Sequence, residues 1–132
     1  MVRSRVIPPM PTMKDLAPEI FRQRLLMEAR WTIDIDAELV RGYLLGLSAE
    51  LRLTPYGDPI IFSPAAGQGR PENAGFDSFL PLINSGISGY FWTESRFLSV
   101  VLYSCTAFDP DAAVAFTKGF FAIQGRVACS VF

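Results

Sequence analysis

The sequence contains no histidine and only two cysteines, Cys105 and Cys129. Without histidine, the chain cannot form a Ser-His-Asp triad, a Cys-His pair or a histidine-based metal site. Acid–base chemistry would therefore depend on carboxylates, tyrosine, cysteine, Lys14 or Lys118. We expect no bound metal. We also expect both cysteines to be free thiols, because disulfides are rare in the cytoplasm, where we place this protein.

Two further absences concern membranes and nucleic acids. No apolar run approaches the roughly 18 residues needed to cross a bilayer. No hydrophobic stretch follows Arg3 and Arg5, so a signal peptide is not expected either. The net charge is −1 and the basic residues are dispersed, which argues against nucleic-acid binding. We therefore expect a cytoplasmic protein with a small-molecule substrate and with no membrane or nucleic-acid partner.

Apolar residues, in contrast, are abundant. Half of the 132 residues are hydrophobic, and 11 of them are phenylalanine. A chain of this length fits one domain with a core that needs no disulfide or metal to hold it. The surplus of apolar residues favours burial between subunits, so we expect a homodimer.

The N-terminal part of the chain is predicted to lie outside the main domain. Residues 1–24 are expected to form an arm and the start of an extra helix over residues 18–28, with Pro18 in its first turn. The domain itself is expected to span residues 25–132. Alternating apolar and polar residues in "RWTIDID", residues 30–36, predict a strand after the extra helix.

Two helices and several strands are predicted within the domain. Asp36 and Asp109 are suited to N-cap helices over residues 37–49 and 110–121. A loop is expected at residues 64–75, and strands are predicted in "ELRLT", "DPIIFS", "SFLPLIN", "ISGYFW", "RFLSVVLYSCT" and "GRVACSVF". This order predicts an α+β two-layer sandwich, a mainly antiparallel sheet with two helices on one face. A partner subunit is expected to cover the other face.

The segment that begins at residue 84 carries the strongest functional signal. It reads "NSGISGYFWTE", then "FLSVVLYSC", then "FDPDAAVAF". The pattern resembles the bacterial S-adenosylmethionine decarboxylase family, the pyruvoyl enzymes of spermidine synthesis. The core of that family reads roughly Glu-Ser-His-x-x-x-His-x-Trp-Pro-Glu, followed by a strand that ends in Cys and by a helix that starts with Asp-Pro. The spacing from Ser85 to Trp92, Glu94 and Cys105 matches without a gap.

The resemblance implies a self-processing enzyme of polyamine metabolism. The Ser85 hydroxyl would attack the carbonyl of Asn84, and cleavage between the two residues would leave a pyruvoyl cofactor at position 85. That ketone would accept electrons during decarboxylation of S-adenosylmethionine or a related amino acid. Cys105 would protonate the product, and Glu94 takes the place of the glutamate that holds the ribose hydroxyls.

Several residues of the family pattern are changed in this chain. The two family histidines fall on Gly86 and Tyr90, and the upstream serine that assists processing falls on Asp77. Because the ordinary pKa of tyrosine is near 10, Tyr90 is a poor base at neutral pH. Together with Trp92, its ring could instead stack on a purine or a sulfonium group.

Two interpretations therefore stay open. In the first, the chain is an active decarboxylase. The resemblance then implies residues for catalysis (Ser85, Cys105 and Tyr90), for substrate binding (Glu94, Trp92 and Asp77) and for cleavage (Asn84 and Ser85). In the second, the chain is an unprocessed paralogue that binds a nucleoside-like ligand or a partner subunit.

Overall fold

In the computed structural model of the chain, which describes residues 13–63 and 67–132, six strands form one antiparallel sheet. The order of the strands across the sheet is β2-β3-β4-β5-β1-β6. The strands are β1 (Gln23–Arg30), β2 (Ile60–Phe62), β3 (Gly75–Leu82), β4 (Ser85–Trp92), β5 (Phe97–Ser104) and β6 (Ala128–Val131). The helices are α1 (Ala37–Glu50) and α2 (Pro110–Phe120), and two short 3-10 turns cover Gly67–Gly69 and Pro71–Asn73.

Both helices begin where the sequence predicts them. The Asp36 carboxylate accepts a hydrogen bond from the backbone N–H of Leu39 at 2.8 Å, and the Asp109 carboxylate accepts one from that of Asp111 at 2.9 Å. These bonds satisfy backbone N–H groups that have no partner within the first turn of a helix. The prediction of helices at 37–49 and 110–121 is thus confirmed to within a residue at each end.

The two helices cover one face of the sheet. Every second residue of β1 is buried against them, namely Leu25, Met27 and Ala29, and β5 shows the same alternation. The intervening side chains point to the opposite side, which we call the open face. The predicted α+β two-layer sandwich is therefore confirmed, with both helices on one side of a mainly antiparallel sheet.

Tyr43 lies at the centre of the core between sheet and helices. Its ring is fully buried and contacts the rings of Phe91, Phe116, Phe120 and Phe121. The Tyr43 hydroxyl lies 2.7 Å from the Thr117 hydroxyl, which donates to the carbonyl of Ala113 at 2.8 Å, so the phenol donates to Thr117. Burial raises the pKa of Tyr43 far above its ordinary value, because the charged phenolate would be desolvated.

The predicted extra helix at residues 18–28 is wrong. Residues 23–30 form strand β1 instead, and residues 13–22 contain no helix. The reason is the pairing of this segment with β5 on one side and β6 on the other, which satisfies its backbone hydrogen-bonding groups within the sheet. Residues 1–12 of the predicted arm lie outside the described residues.

Two predicted strands are also wrong. Residues 31–36 run as irregular chain, with the N–H of Trp31 bonded to the carbonyl of Arg96 at 3.0 Å and not to a neighbouring strand. The segment "ELRLT" forms the end of α1 and a turn, and only the following Pro55 makes an isolated bridge, to Leu82.

No helix in the described part of the chain is long and apolar enough to span a membrane.

The open face carries large apolar side chains in contact with solvent. Phe62 is 67% exposed and Tyr90 is 40% exposed, and the set also includes Ile60, Phe79 and Tyr103. Cross-strand register places Phe62, Asp77 and Tyr90 in one row across β2, β3 and β4. An apolar surface of this kind is typical of an interaction site.

Candidate functional site

Ser85 is the first residue of β4 and lies beside the end of β5. Register pairs it with Ser104, whose hydroxyl accepts a hydrogen bond from the Ser85 hydroxyl at 3.2 Å. The Ser85 hydroxyl in turn lies 3.4 Å from the backbone N–H of Cys105, which donates to it. The half-buried Ser85 side chain is therefore held between two residues at the end of the neighbouring strand.

Ser104 is a member of this group that sequence reasoning missed. Its side chain is fully buried, donates to the carbonyl of Thr106 at 2.6 Å and accepts from the N–H of Thr106 at 2.9 Å. These bonds fix the direction of the Ser104 lone pair that Ser85 uses. A signal was present in the sequence, since Ser104 is the polar member of an otherwise apolar inward-facing series in β5.

Asn84 precedes Ser85 in the two-residue turn that joins β3 to β4. Its backbone has φ of +52°, in the left-handed region that is unfavourable for most residues other than glycine. Asparagine tolerates this conformation better than other residues because its short polar side chain bonds locally. The Asn84–Ser85 peptide bond thus lies at an exposed chain reversal, next to a hydroxyl that is held by hydrogen bonds.

Cys105 directly follows β5 and is a free, half-buried thiol. The structure therefore brings together Ser85, Cys105 and Asn84, three of the residues that the sequence analysis singled out. In the residues that the structure describes, no group of three or more histidine, cysteine or acidic side chains could hold a metal ion.

Tyr90 and Asp77 form a second group, on the open face. They are direct partners across β3 and β4, and Asp77 also pairs with Phe62 of β2. A hollow of about 250 Å³ lies over this region and is lined by Ile60, Phe62, Asp77, Ser78, Phe79 and Tyr90. Tyr90 is five positions after Ser85, which corresponds to about 16 Å along a strand at about 3.3 Å per residue.

Trp92 and Glu94 lie still farther from Ser85. Trp92 ends β4 and packs against Phe97, with ring centroids 5.5 Å apart, and Glu94 is exposed in the following turn. Trp92 is about 23 Å from Ser85 along the strand. Within one chain, the predicted substrate-binding residues therefore do not surround the predicted cleavage site.

Comparison with solved structures identified proteins with a similar fold. The chain is similar to the crystal structure of the adenosylmethionine decarboxylase from Aquifex aeolicus VF5, with a TM-score of 0.65 and 20% sequence identity. The similarity covers 86% of this chain and 89% of that one. The two proteins share a fold. No protein-family model matches the chain, and no curated protein matches it either.

Proposed function

We propose that the chain is a divergent pyruvoyl-dependent decarboxylase that acts on S-adenosylmethionine or a related amino acid in the cytoplasm. The observation that carries the proposal is the hydroxyl of Ser85, held against Ser104 and Cys105 directly after a left-handed turn residue. The fold shared with a decarboxylase supports it.

Self-processing would use groups that lie at this turn. The Ser85 oxygen attacks the carbonyl carbon of Asn84, the amide C–N bond breaks, and an ester forms as the amine of residue 85 is released. Loss of the α-proton of residue 85 then expels the Asn84 carboxylate and leaves a dehydroalanine. Its enamine becomes an imine, and water releases ammonia and leaves the ketone.

The residues around Ser85 fit this prosthetic group. Cleavage of the Asn84–Ser85 bond would put the group at the free start of β4, beside the end of β5. Such a ketone supplies an electron sink for decarboxylation. Ser104 would orient the hydroxyl before cleavage, and Cys105, whose backbone N–H contacts that hydroxyl, would deliver a proton to the product from its half-buried thiol.

Assembly of two copies through their open faces would bring Tyr90 of one copy to the strand ends of the other, near the turn that carries Ser85. The Ser85 hydroxyl itself points to the helix layer, where it bonds to Ser104. Ser88 and Val101 pair with each other and lie midway between the Tyr90 row and the Gly86 row. A two-fold axis between the faces, crossing the strands at Ser88 and Val101, would place Tyr90 of the second copy over Gly86, next to Ser85. The homodimer would thereby add Tyr90 of the second copy to the surroundings of the cleavage turn and cover the exposed apolar side chains.

Light scattering in solution tests the dimer. Val101→Glu places a charge on the open face, and we expect it to halve the particle mass. Ala115→Glu introduces the same charge at an exposed position of α2, on the helix layer, and serves as the matched control. An unchanged mass for Val101→Glu, or a monomeric wild type, contradicts assembly through the open face.

Denaturing mass spectrometry tests the cleavage. We expect two fragments, residues 1–84 and 85–132, from a purified chain of 132 residues. Ser85→Ala should abolish them, while Ser88→Ala, a control on the same strand, should leave them unchanged. Cys105→Ala should spare cleavage and reduce turnover. Fragments that persist in Ser85→Ala indicate ordinary proteolysis and contradict the proposal.

A second candidate is an unprocessed paralogue that binds a nucleoside-like ligand or a partner subunit. It is favoured by the absence of histidine and by the acceptor of the Ser85 hydroxyl, which is another hydroxyl and not a base. A chain that stays intact through prolonged incubation, with Ser85 unmodified, would support this candidate over the decarboxylase.

A further inference from the structure

The carboxylate of Asp77 stands among aromatic side chains on the open face. Its neighbours across the strands are Phe62 and Tyr90, and Phe79 follows two residues later on the same face. Asp77 lines the 250 Å³ hollow described above and also a neighbouring hollow of about 460 Å³ that Ser63 and Gln68 help to form. Asp77 is exposed, so its carboxylate is accessible to a ligand that enters this hollow from solvent.

No side chain in the described part of the chain engages the Asp77 carboxylate. Asp15, Asp34 and Asp58 each form an ion pair with an arginine, at 2.6 to 3.0 Å. Within residues 13–63 and 67–132, no such pair and no hydrogen bond engages the Asp77 side chain. An ionised carboxylate is a hydrogen-bond acceptor only, so its oxygens are available to a donor on a ligand.

The surroundings of Asp77 select the chemistry of that ligand. Aromatic faces attract cations, and a carboxylate attracts them and accepts N–H hydrogen bonds. An alkylammonium group satisfies both requirements, because its chain packs on the rings while its N–H groups reach Asp77. A sulfonium carries the charge but has no N–H to donate, and an anion would be repelled.

We propose that the Asp77 pocket binds a primary ammonium group at the end of an alkyl chain. The assignment rests on the proposed decarboxylase, and it identifies the substrate as an amino acid whose side chain ends in an ammonium group. In the dimer, that end would lie on Asp77 of one copy while the α-amino group faces position 85 of the other. The role of Asp77 is binding and specificity.

Calorimetric titration with three amino-acid probes of similar length tests this assignment. Lysine carries the ammonium, norleucine replaces it with an apolar end, and S-methylmethionine carries a sulfonium. The titration uses the full chain with Ser85→Ala, so that binding is measured whether or not the wild type is cleaved. We expect lysine to bind about fivefold more tightly than either other probe, in line with an ion pair open to solvent.

Variants at Asp77 make the test specific. Asp77→Asn should remove the preference for lysine and Asp77→Glu should retain part of it. Glu50→Gln, a control at an exposed carboxylate that ends α1, should leave it unchanged. Equal binding of lysine and norleucine, equal binding of lysine and S-methylmethionine, or a preference that survives Asp77→Asn would each overturn the assignment. The cleavage assay is independent, so such a result leaves the proposed decarboxylase standing.

Discussion

Replacing Ser104 by alanine tests how the Ser85 hydroxyl is positioned. The change removes the acceptor 3.2 Å from that hydroxyl and leaves Asn84, Ser85 and Cys105 in place. A hydrogen bond of this kind contributes about 1 kcal/mol, so its loss should reduce the population of the held hydroxyl, and with it the cleavage rate, about fivefold. The exposed Thr106 can bond to water in the variant, so the unfolding temperature should fall by only about 3 °C.

The assay follows the appearance of the fragment that begins at residue 85, by mass spectrometry over time after synthesis. The unfolding temperature of the double variant Ser85→Ala/Ser104→Ala is compared with that of Ser85→Ala alone. Because neither variant can be cleaved at position 85, the difference reports the loss of stability caused by Ser104→Ala. Ser88→Ala is the matched control, because Ser88 lies on β4 and faces away from Ser104. A folded Ser104→Ala chain that is cleaved at the wild-type rate refutes the view that Ser104 orients the nucleophile.

Three further predictions concern the fold that supports the site. Tyr43→Phe removes the 2.7 Å contact to Thr117 and should lower the free energy of unfolding by about 1 kcal/mol in urea titrations. Above pH 10, the folded state keeps the Tyr43 proton while the unfolded chain releases it. The free energy of unfolding of the wild type should therefore fall with pH by about 1.4 kcal/mol per pH unit more than that of Tyr43→Phe. Equal slopes would show that the phenol titrates normally in the folded protein. Gly75→Ala would put a methyl group into the carbonyl oxygen of Phe91, so we expect it to yield little folded protein in circular dichroism, whereas Gly119→Ala, where an added methyl meets nothing, should fold normally.

The parts of the fold that the sequence predicts are those with local signals. Asp36 and Asp109 mark helix starts through bonds to residues two or three positions away, so the sequence alone locates α1 and α2. Strand β1 was not predictable in this way. Leu25 and Leu26 are adjacent apolar residues that end on opposite faces, and only the neighbouring strands, distant in sequence, decide between a helix and a strand there.

The segment at residues 31–36 shows the converse case. Trp31, Ile33 and Ile35 alternate as in a strand and pack on the core, but the backbone of Trp31 and Thr32 bonds to Arg96 and Phe121. Periodicity reports which side chains are buried and not whether a partner strand is present.

The same limit applies to the candidate site. The nearness of Ser85 and Cys105 follows from two consecutive antiparallel strands, which the sequence predicts as strand segments. The separation of Tyr90 and Glu94 from Ser85 follows from the length of β4. A motif written along one strand spreads its residues along the sheet, so residues that are close in sequence need not share a pocket.

The most direct measurement of the central claim is a carbonyl test on the start of the fragment 85–132. A pyruvoyl group has no α-amino group, reacts with phenylhydrazine and gains two hydrogens on borohydride reduction, and we expect all three properties at position 85. A fragment that begins with an ordinary serine bearing a free amine, or a chain that never divides there, would contradict the claim.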